Sequence, residues 1–297
     1  METIGFIGLG NMGLPMTTNL IKAGYTVYGM DVKEEILQKF TELGGKVAKT
    51  NAELAALTKV IMTSLPTPQV VEAIYTNPGG LIETAAPGTL LIDFSTVEPK
   101  LNDDIAALAS KNGLHYLGAP VSGGVIGAVQ STLTIMVGGT KENFEKALPL
   151  LNILGKNIFL LGDSPSVGTR IKLLNNLMIG FYTKGVAEML VLAESAGLSL
   201  DKVYEILNVS YGQSKIYTRN YAEYMKNEDY QPGFSIDLLL KDMRLAQQMA
   251  VQGEVNLPVT NHLIDEYEQM SQDGFGHLDI SAAYLSEVKT NKKEEVL

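Results

Sequence analysis

The stretch IGFIGLGNMG, residues 4–13, decides the fold. An apolar, β-rich run breaks into glycines at positions 8, 10 and 13, spaced G-x-G-x-x-G, and a helical pattern begins near Met12. Glycines in that spacing allow a tight turn, let a pyrophosphate approach the backbone, and set it at a helix N-terminus whose free N–H groups and dipole favour an anion. The motif by itself is a weak signal, and its surroundings give it weight. A second β-rich run, YTVYGM at residues 25–30, ends at Asp31, 18 residues past Gly13, where a carboxylate can accept from both ribose hydroxyls of a dinucleotide. Leu9, Asn11 and Met12 complete the loop and fall with Gly8, Gly10, Gly13 and Asp31 in a cofactor site. A 2′-phosphate beside Asp31 would be repelled, and Val32 supplies no positive charge where NADP enzymes often place arginine. NAD is therefore expected in preference to NADP, with Lys33 the nearest charge opposing that choice.

Outward from this loop, short apolar runs alternate with helical stretches for about 160 residues. The strand candidates are TIGFIGL (3–9), YTVYGM (25–30), KVIMTSL (59–65), TLLIDFS (89–95), HYLGAP (115–120) and LTIMVGG (133–139). That rhythm predicts βαβ units and a doubly wound, mostly parallel sheet of Rossmann type. After Gly168 the pattern changes. Residues 169–196 contain no proline and repeat their apolar residues at helical spacing, so one helix over about 168–196 is expected, on the order of 42 Å long and joining two domains. Further helices are expected near Leu200 to Asn208, Ile236 to Gln252 and Pro258 to Asp273, with no comparable strand signal. The expected organisation is an α/β domain over 1–165 and an all-α domain over 166–297. The last nine residues, KTNKKEEVL, lack a core face and are expected to fray.

Bulk properties exclude several function classes. The chain has 297 residues, enough for roughly two domains of about 150 each. Its 23 basic and 33 acidic side chains leave a net charge of −10, which opposes nucleic acid and anionic membranes as partners. The same field opposes an anionic substrate, so an acid-binding site must work through local donors. Without cysteine, thiolate metal sites and cysteine nucleophiles are excluded, and His115, His262 and His277 lie too far apart in sequence for an i, i+4 metal pair. No metal is expected. The opening METIGFIGLG does not read as a secretory signal, and Lys184 and Glu188 interrupt the longest apolar candidate, Leu173 to Leu192, so the cytoplasm is the expected location.

Four further segments extend the pattern of GFIGLGNMGLPM: LIDFSTVEP (91–99), APVSGGVIGA (119–128), KLLNN (172–176) and FSIDLLLKD (234–242). Together they resemble the β-hydroxyacid dehydrogenase family over nearly the whole chain, from Ile4 to about Asp279. The resemblance implies hydride transfer between a nicotinamide and the β-hydroxyl carbon of a small carboxylic acid, or reduction of the matching semialdehyde. It places the substrate carboxylate on Ser122, Gly123 and Gly124, whose hydroxyl and backbone N–H groups form an anion nest needing no net charge. Lys172, flanked by Ile171, Leu173 and Leu174, becomes the general acid/base, and desolvation of its ammonium would lower its pKa toward neutrality. Asn176 lies about 40° around the helix and Asn175 about 60° the other way; either amide could hold the hydroxyl oxygen, with Asn176 the better aligned. Thr96 is placed beside the nicotinamide, Leu65 and Pro66 in the cofactor groove, and Phe234 on the nicotinamide or substrate side. Lys241 is placed near cofactor, and Asp242 near Lys172, orienting it. A homodimer or homotetramer is implied, with Gly180 and Gly185 allowing close helix contact.

The chain also departs from the family. Gly118 stands where many relatives have aspartate, Ser166-Val167-Gly168 where many have G-x-G, and Ser131 where glycine is common. An imine reductase on the same scaffold would usually lack Lys172, and a silent dinucleotide-binding module would be expected to have lost Lys172, Ser122 or Asn176. Tyr211 to Lys215 and Arg219 are candidates for holding a second carboxylate, with an ordinary loop and helix start as the plainer alternative.

Overall fold

The structure, a computed structural model, describes residues 3–294. Among these, nine strands form one sheet: β1 (Thr3–Ile7), β2 (Thr26–Met30), β3 (Lys46–Val47), β4 (Val60–Thr63), β5 (Leu90–Asp93), β6 (His115–Gly118), β7 (Val121–Ser122), β8 (Leu133–Gly138) and β9 (Gly155–Gly162). The order is β3-β2-β1-β4-β5-β6-β8-β7, with β9 paired to β8. The strands from β3 across to β6 are parallel, and β6 and β7 meet β8 antiparallel. This is a doubly wound sheet with the strand order reversing between β1 and β4.

Strand alternation explains the two helical layers. Ile4, Phe6, Met62, Leu90 and Ile92 join one apolar cluster with α1 (Gly13–Lys22), α2 (Glu34–Glu42) and, near the chain's middle, Lys141–Leu154. Ile7, Ile61, Leu91 and Tyr116 join a second with α3 (Asn51–Leu57), α4 (Pro68–Thr76), α5 (Leu81–Thr84) and α6 (Pro99–Lys111). Successive side chains of one strand point to opposite faces, so each strand serves both layers. A short helix, α7 (Gly124–Val129), follows β7; α8 is the Lys141–Leu154 helix. All six expected strands are present. The three unexpected ones lack the patterns that reveal strands: β3 and β7 have two residues each, and β9 is an edge strand with most side chains exposed. Ser131, before β8, adopts φ +56°, the left-handed region that explains why glycine suits this position.

The chain divides into two compact units at Lys172 and Leu173, inside the 29-residue helix α9 (Val167–Ser195). The second unit adds α10 (Leu200–Leu207), α11 (Lys215–Arg219), a π-helical turn (Asn220–Tyr224), α12 (Ile236–Gln252), α13 (Pro258–Met270) and α14 (Ala283–Glu294). Its main core joins Ala187 to Leu239, Leu240 and Met243 of α12 and Leu263, Ile264 and Tyr267 of α13. Gly180 belongs to this core: a Cβ there would lie 2.9 Å from Met243 Sδ, and its carbonyl accepts from the Tyr267 hydroxyl. Gly180 thus serves a contact inside the unit, whereas a Cβ at Gly185 would meet nothing within 4 Å. Residues 289–294, expected to fray, continue α14, and 295–297 lie outside the described residues. Among the described residues no helix is long and apolar enough to cross a membrane.

Lys184 is buried on α9 between two carboxylates, 2.7 Å from Glu266 and paired with Glu287. Burial alone would lower its pKa; the hydrogen bonds and charges of Glu266 and Glu287 outweigh burial and raise it. Removing the ammonium would strand the Glu287 carboxylate, which is itself largely buried. Lys184→Met is expected to lower unfolding stability by about 3 kcal/mol, with part of the loss recovered by adding Glu287→Leu. Denaturant unfolding measures this, and a loss below about 1 kcal/mol would mean that the pair behaves as a surface ion pair.

Candidate active site

The loop after β1 lies at the carboxyl ends of the strands beside the switch point, where open α/β sheets bind ligands. Its three glycines answer different demands. Gly8 has φ +89°, and a Cβ there would stand 2.2 Å from the Ser64 carbonyl at the end of β4; one at Gly13 would stand 1.9 Å from the Gly8 carbonyl. Those two glycines permit the close packing of turn, strand and helix. At Gly10 a Cβ would meet nothing within 4 Å, so this part of the loop is open to a ligand. No side chain caps α1; within its first turn Leu14 N–H donates to the Gly10 carbonyl at 3.0 Å and Pro15 carries no N–H, so the backbone of the glycine loop ahead of the helix is what faces a ligand.

Asp31 follows β2 and is fixed from both sides: Leu9 N–H donates to Oδ2 at 2.8 Å and Lys33 N–H to Oδ1 at 3.0 Å. Each carboxylate oxygen retains a further lone pair, which suits two ribose hydroxyls. Val32 is 97% exposed and carries no charge. Glycine loop, open Gly10 and oriented carboxylate together fit a dinucleotide.

Leu65 and Thr96 are brought to the same strand ends. A Cβ at Gly8 would lie 3.1 Å from Leu65 Cδ2, and the Leu65 N–H donates to Ser95 Oγ at 2.9 Å. Thr96 follows Ser95 and is half-buried, while Pro66 is exposed. Behind this loop lies Asp93, fully buried, accepting from Thr63 Oγ1 (2.8 Å), Ser95 N–H (3.0 Å) and the Tyr116 hydroxyl (3.3 Å). Burial pushes its carboxyl above the ordinary aspartate range, and donation by Ser95, Thr63 and Tyr116 offsets part of that rise. Burial likewise raises the Tyr75 and Tyr116 hydroxyls. Nothing periodic in the sequence marks Asp93 and Ser95; the one signal is a charged residue ending an otherwise apolar strand.

Ser122 ends β7, and Gly123 and Gly124 follow with φ +130° and +61°, backbone that only glycine adopts readily twice in succession. A Cβ at Gly124 would meet nothing within 4 Å. Lys172 ends the first unit and is 9% exposed. Of its flanking apolar residues only Leu173 is buried, while Ile171 and Leu174 are 41% and 49% exposed.

In the second unit, Asn175 Nδ2 donates to Asn176 Oδ1 at 3.1 Å, buried Asn176 donates through Nδ2 to Asp242 Oδ2, and Lys241 pairs with Asp242 at 2.9 Å. Asp242 thus holds an amide and its neighbouring lysine. Phe234 packs half-buried against the core of this unit.

Arg219 is committed elsewhere. It makes a two-pronged bond to fully buried Asp279, 2.7 and 2.6 Å, and lies over the Tyr224 ring, while Asp279 also accepts from the Gly233 and Phe234 N–H groups. An arginine already neutralised by a bidentate carboxylate is a poor receptor for a second substrate carboxylate. Tyr211 and Lys215 are exposed.

Residues 3–162 match the model of the NAD-binding domain of 6-phosphogluconate dehydrogenase, and residues 166–286 match that of the NAD-binding region of NADP-dependent 3-hydroxyisobutyrate dehydrogenase. The chain is 38% identical to 2-(hydroxymethyl)glutarate dehydrogenase of Eubacterium barkeri, over 94% of this chain and 92% of that protein. It is 36% identical to the NAD-dependent L-serine dehydrogenase of Pseudomonas aeruginosa, over 95% and 96%. A solved structure of Mycobacterium tuberculosis 3-hydroxyisobutyrate dehydrogenase with L-serine superposes with a TM-score of 0.87 at 34% identity, covering 96% of this chain and 99% of that one. A dinucleotide-binding sheet, matches in both halves and relatives of this closeness over nearly full length lead to one conclusion: the chain belongs to the β-hydroxyacid dehydrogenase family, NAD(P)-dependent oxidoreductases acting on CH–OH groups.

Proposed function

We propose that this enzyme prefers NAD and interconverts a 2-substituted 3-hydroxypropanoate and its semialdehyde, with Lys172 as general acid/base. The observation that carries the reading is a lysine 9% exposed in α9, four positions before a fully buried asparagine. The substrate class is the chemistry shared by the names of the relatives: serine, 3-hydroxyisobutyrate and 2-(hydroxymethyl)glutarate each carry a hydroxymethyl group on the carbon that bears a carboxylate.

The loop of Gly8 to Gly13 would hold the pyrophosphate and Asp31 the ribose hydroxyls, with Leu65, Pro66 and Thr96 along the groove and Lys241 on the cofactor side. The bound nicotinamide dinucleotide supplies the redox chemistry, taking up a hydride on oxidation or giving it back on reduction. Ser122 Oγ and the N–H groups of Gly123 and Gly124 bind the substrate carboxylate and so fix the orientation of the β carbon. During oxidation, neutral Lys172 Nζ accepts the hydroxyl proton; during reduction, its ammonium donates that proton to the aldehyde oxygen. Asn176 holds the same oxygen through its amide, assisted by Asn175. Asp242, bonded to Asn176, sets that amide's orientation. Leu174, Met178 and Tyr182 are exposed at four-residue spacing on α9, which supports a homo-oligomer built on that helix.

Purified protein should oxidise at least one of L-serine, 3-hydroxyisobutyrate and 2-(hydroxymethyl)glutarate with NAD, more slowly with NADP, and reduce the matching semialdehyde with NADH. Clear NADH binding without turnover on any of them would overturn the reading.

A further inference from the structure

Thr169 and Asn102 are fully buried and belong to neither the cofactor loop nor the substrate nest. Thr169 Oγ1 donates to Asn102 Oδ1 at 2.7 Å, and Asn102 Nδ2 donates to the Tyr116 hydroxyl at 2.8 Å. Tyr116 donates to Asp93, which also accepts from Ser95 N–H, and Ser95 Oγ accepts from Leu65 N–H. One chain of hydrogen bonds, buried except at its half-buried Leu65 end, therefore runs from the loops after β4 and β5 to the first turn of α9. Thr169 stands three residues before Lys172, on the neighbouring turn of the same face.

The same turn is seated on strand backbone through glycines. A Cβ at Gly168 would stand 2.0 Å from the Met136 carbonyl, one at Gly138 2.5 Å from the Ser164 carbonyl, and one at Gly118 2.4 Å from the Pro165 carbonyl. These contacts fix how closely the helix start approaches the sheet. Side chains add the rotational register: Ser166 and Arg170 reach Asp103 of α6, and within the first turn of the helix itself the fully buried side chain is Thr169, held by Asn102.

We propose that Thr169, anchored by Asn102, is a positioning residue that sets the rotation of the first turns of α9 and thereby the place of Lys172 Nζ. This rests on the reading of Lys172 as the acid/base group.

The test is a cycle of Thr169→Val, Thr169→Ser and Lys172→Ala in the full-length enzyme. Thr169→Val keeps the shape and loses the hydroxyl. It should lower kcat between about 10- and 100-fold, the scale of a small misplacement at a reacting group, while KM and NADH affinity stay close to wild type. Thr169→Ser should restore kcat. In the Lys172→Ala background, Thr169→Val should cost far less of the residual single-turnover rate, because no ammonium remains to be placed and only the Asn176 amide can shift. Unchanged kcat in Thr169→Val, or the same fold-loss in both backgrounds, would overturn the proposal. Should the valine variant not fold, Thr169→Ala enters the cycle with the same expectations. Wild-type turnover in Lys172→Ala alone would instead remove the acid/base reading, so the two failures are separable.

Discussion

Lys172→Ala is expected to lower kcat by about 10²–10⁴-fold, the usual contribution of a positioned acid or base, with NADH binding nearly intact. The loss should fall on kcat because the alcohol proton must leave as the β carbon gives up its hydride, and no other proposed group at that oxygen is basic: Asn175 and Asn176 are amides. Lys172→Arg separates proton transfer from charge. A guanidinium preserves the positive charge but stays protonated at any working pH, so it can stabilise an anion without accepting a proton. The arginine variant should therefore be nearly as slow as the alanine variant. Steady-state rates together with an NADH fluorescence titration read both quantities. Wild-type-like turnover in either variant would remove Lys172 from the proton path.

The sequence carried what repeats locally. Short β-rich apolar runs bounded by turn residues located β1, β2, β4, β5, β6 and β8, and the span from Gly13 to Asp31 works because one helix and one strand separate the phosphate loop from the ribose carboxylate. Long-range partnerships left no such trace. Asp93, Tyr116, Asn102 and Thr169 make one buried network from residues as much as 67 positions apart per bond, and Arg219 meets Asp279 across 60. A polar residue's partner has no period, so Arg219 resembles an available anion receptor until the fold supplies its carboxylate. The environment of Lys172 shows a second limit. Apolar neighbours in sequence suggested desolvation, but adjacent residues on a helix point about 100° apart, and Ile171 and Leu174 face solvent. The lysine is buried all the same, at 9% exposure.

Restoring the aspartate that many relatives carry at position 118 is expected to damage this enzyme. Gly118 sits at the end of β6, in register with Asp93 on β5, and a Cβ there would stand 2.4 Å from the Pro165 carbonyl and 3.5 Å from Asn102 Nδ2. Any side chain must therefore push the 164–168 turn off the strand ends. A carboxylate adds a second charge beside Asp93, whose own carboxyl is already raised by burial. The departure at 118 and the departure at 166 meet here. Ser166 bonds Ser164 and Asp103, tying the turn to α6, and the glycine at the end of β6 leaves room for it. Gly118→Asp should cost more than about 3 kcal/mol through clash and an unpaired buried charge. Gly118→Ala carries the steric part alone and should cost less. Both should also lower kcat, since Lys172 rides on the helix that this turn begins. Thermal unfolding of the two variants beside wild type decides the matter. A Gly118→Asp enzyme as stable as wild type would mean that the turn can be reseated, and that the packing of Pro165 against β6 does not hold the start of the lysine helix.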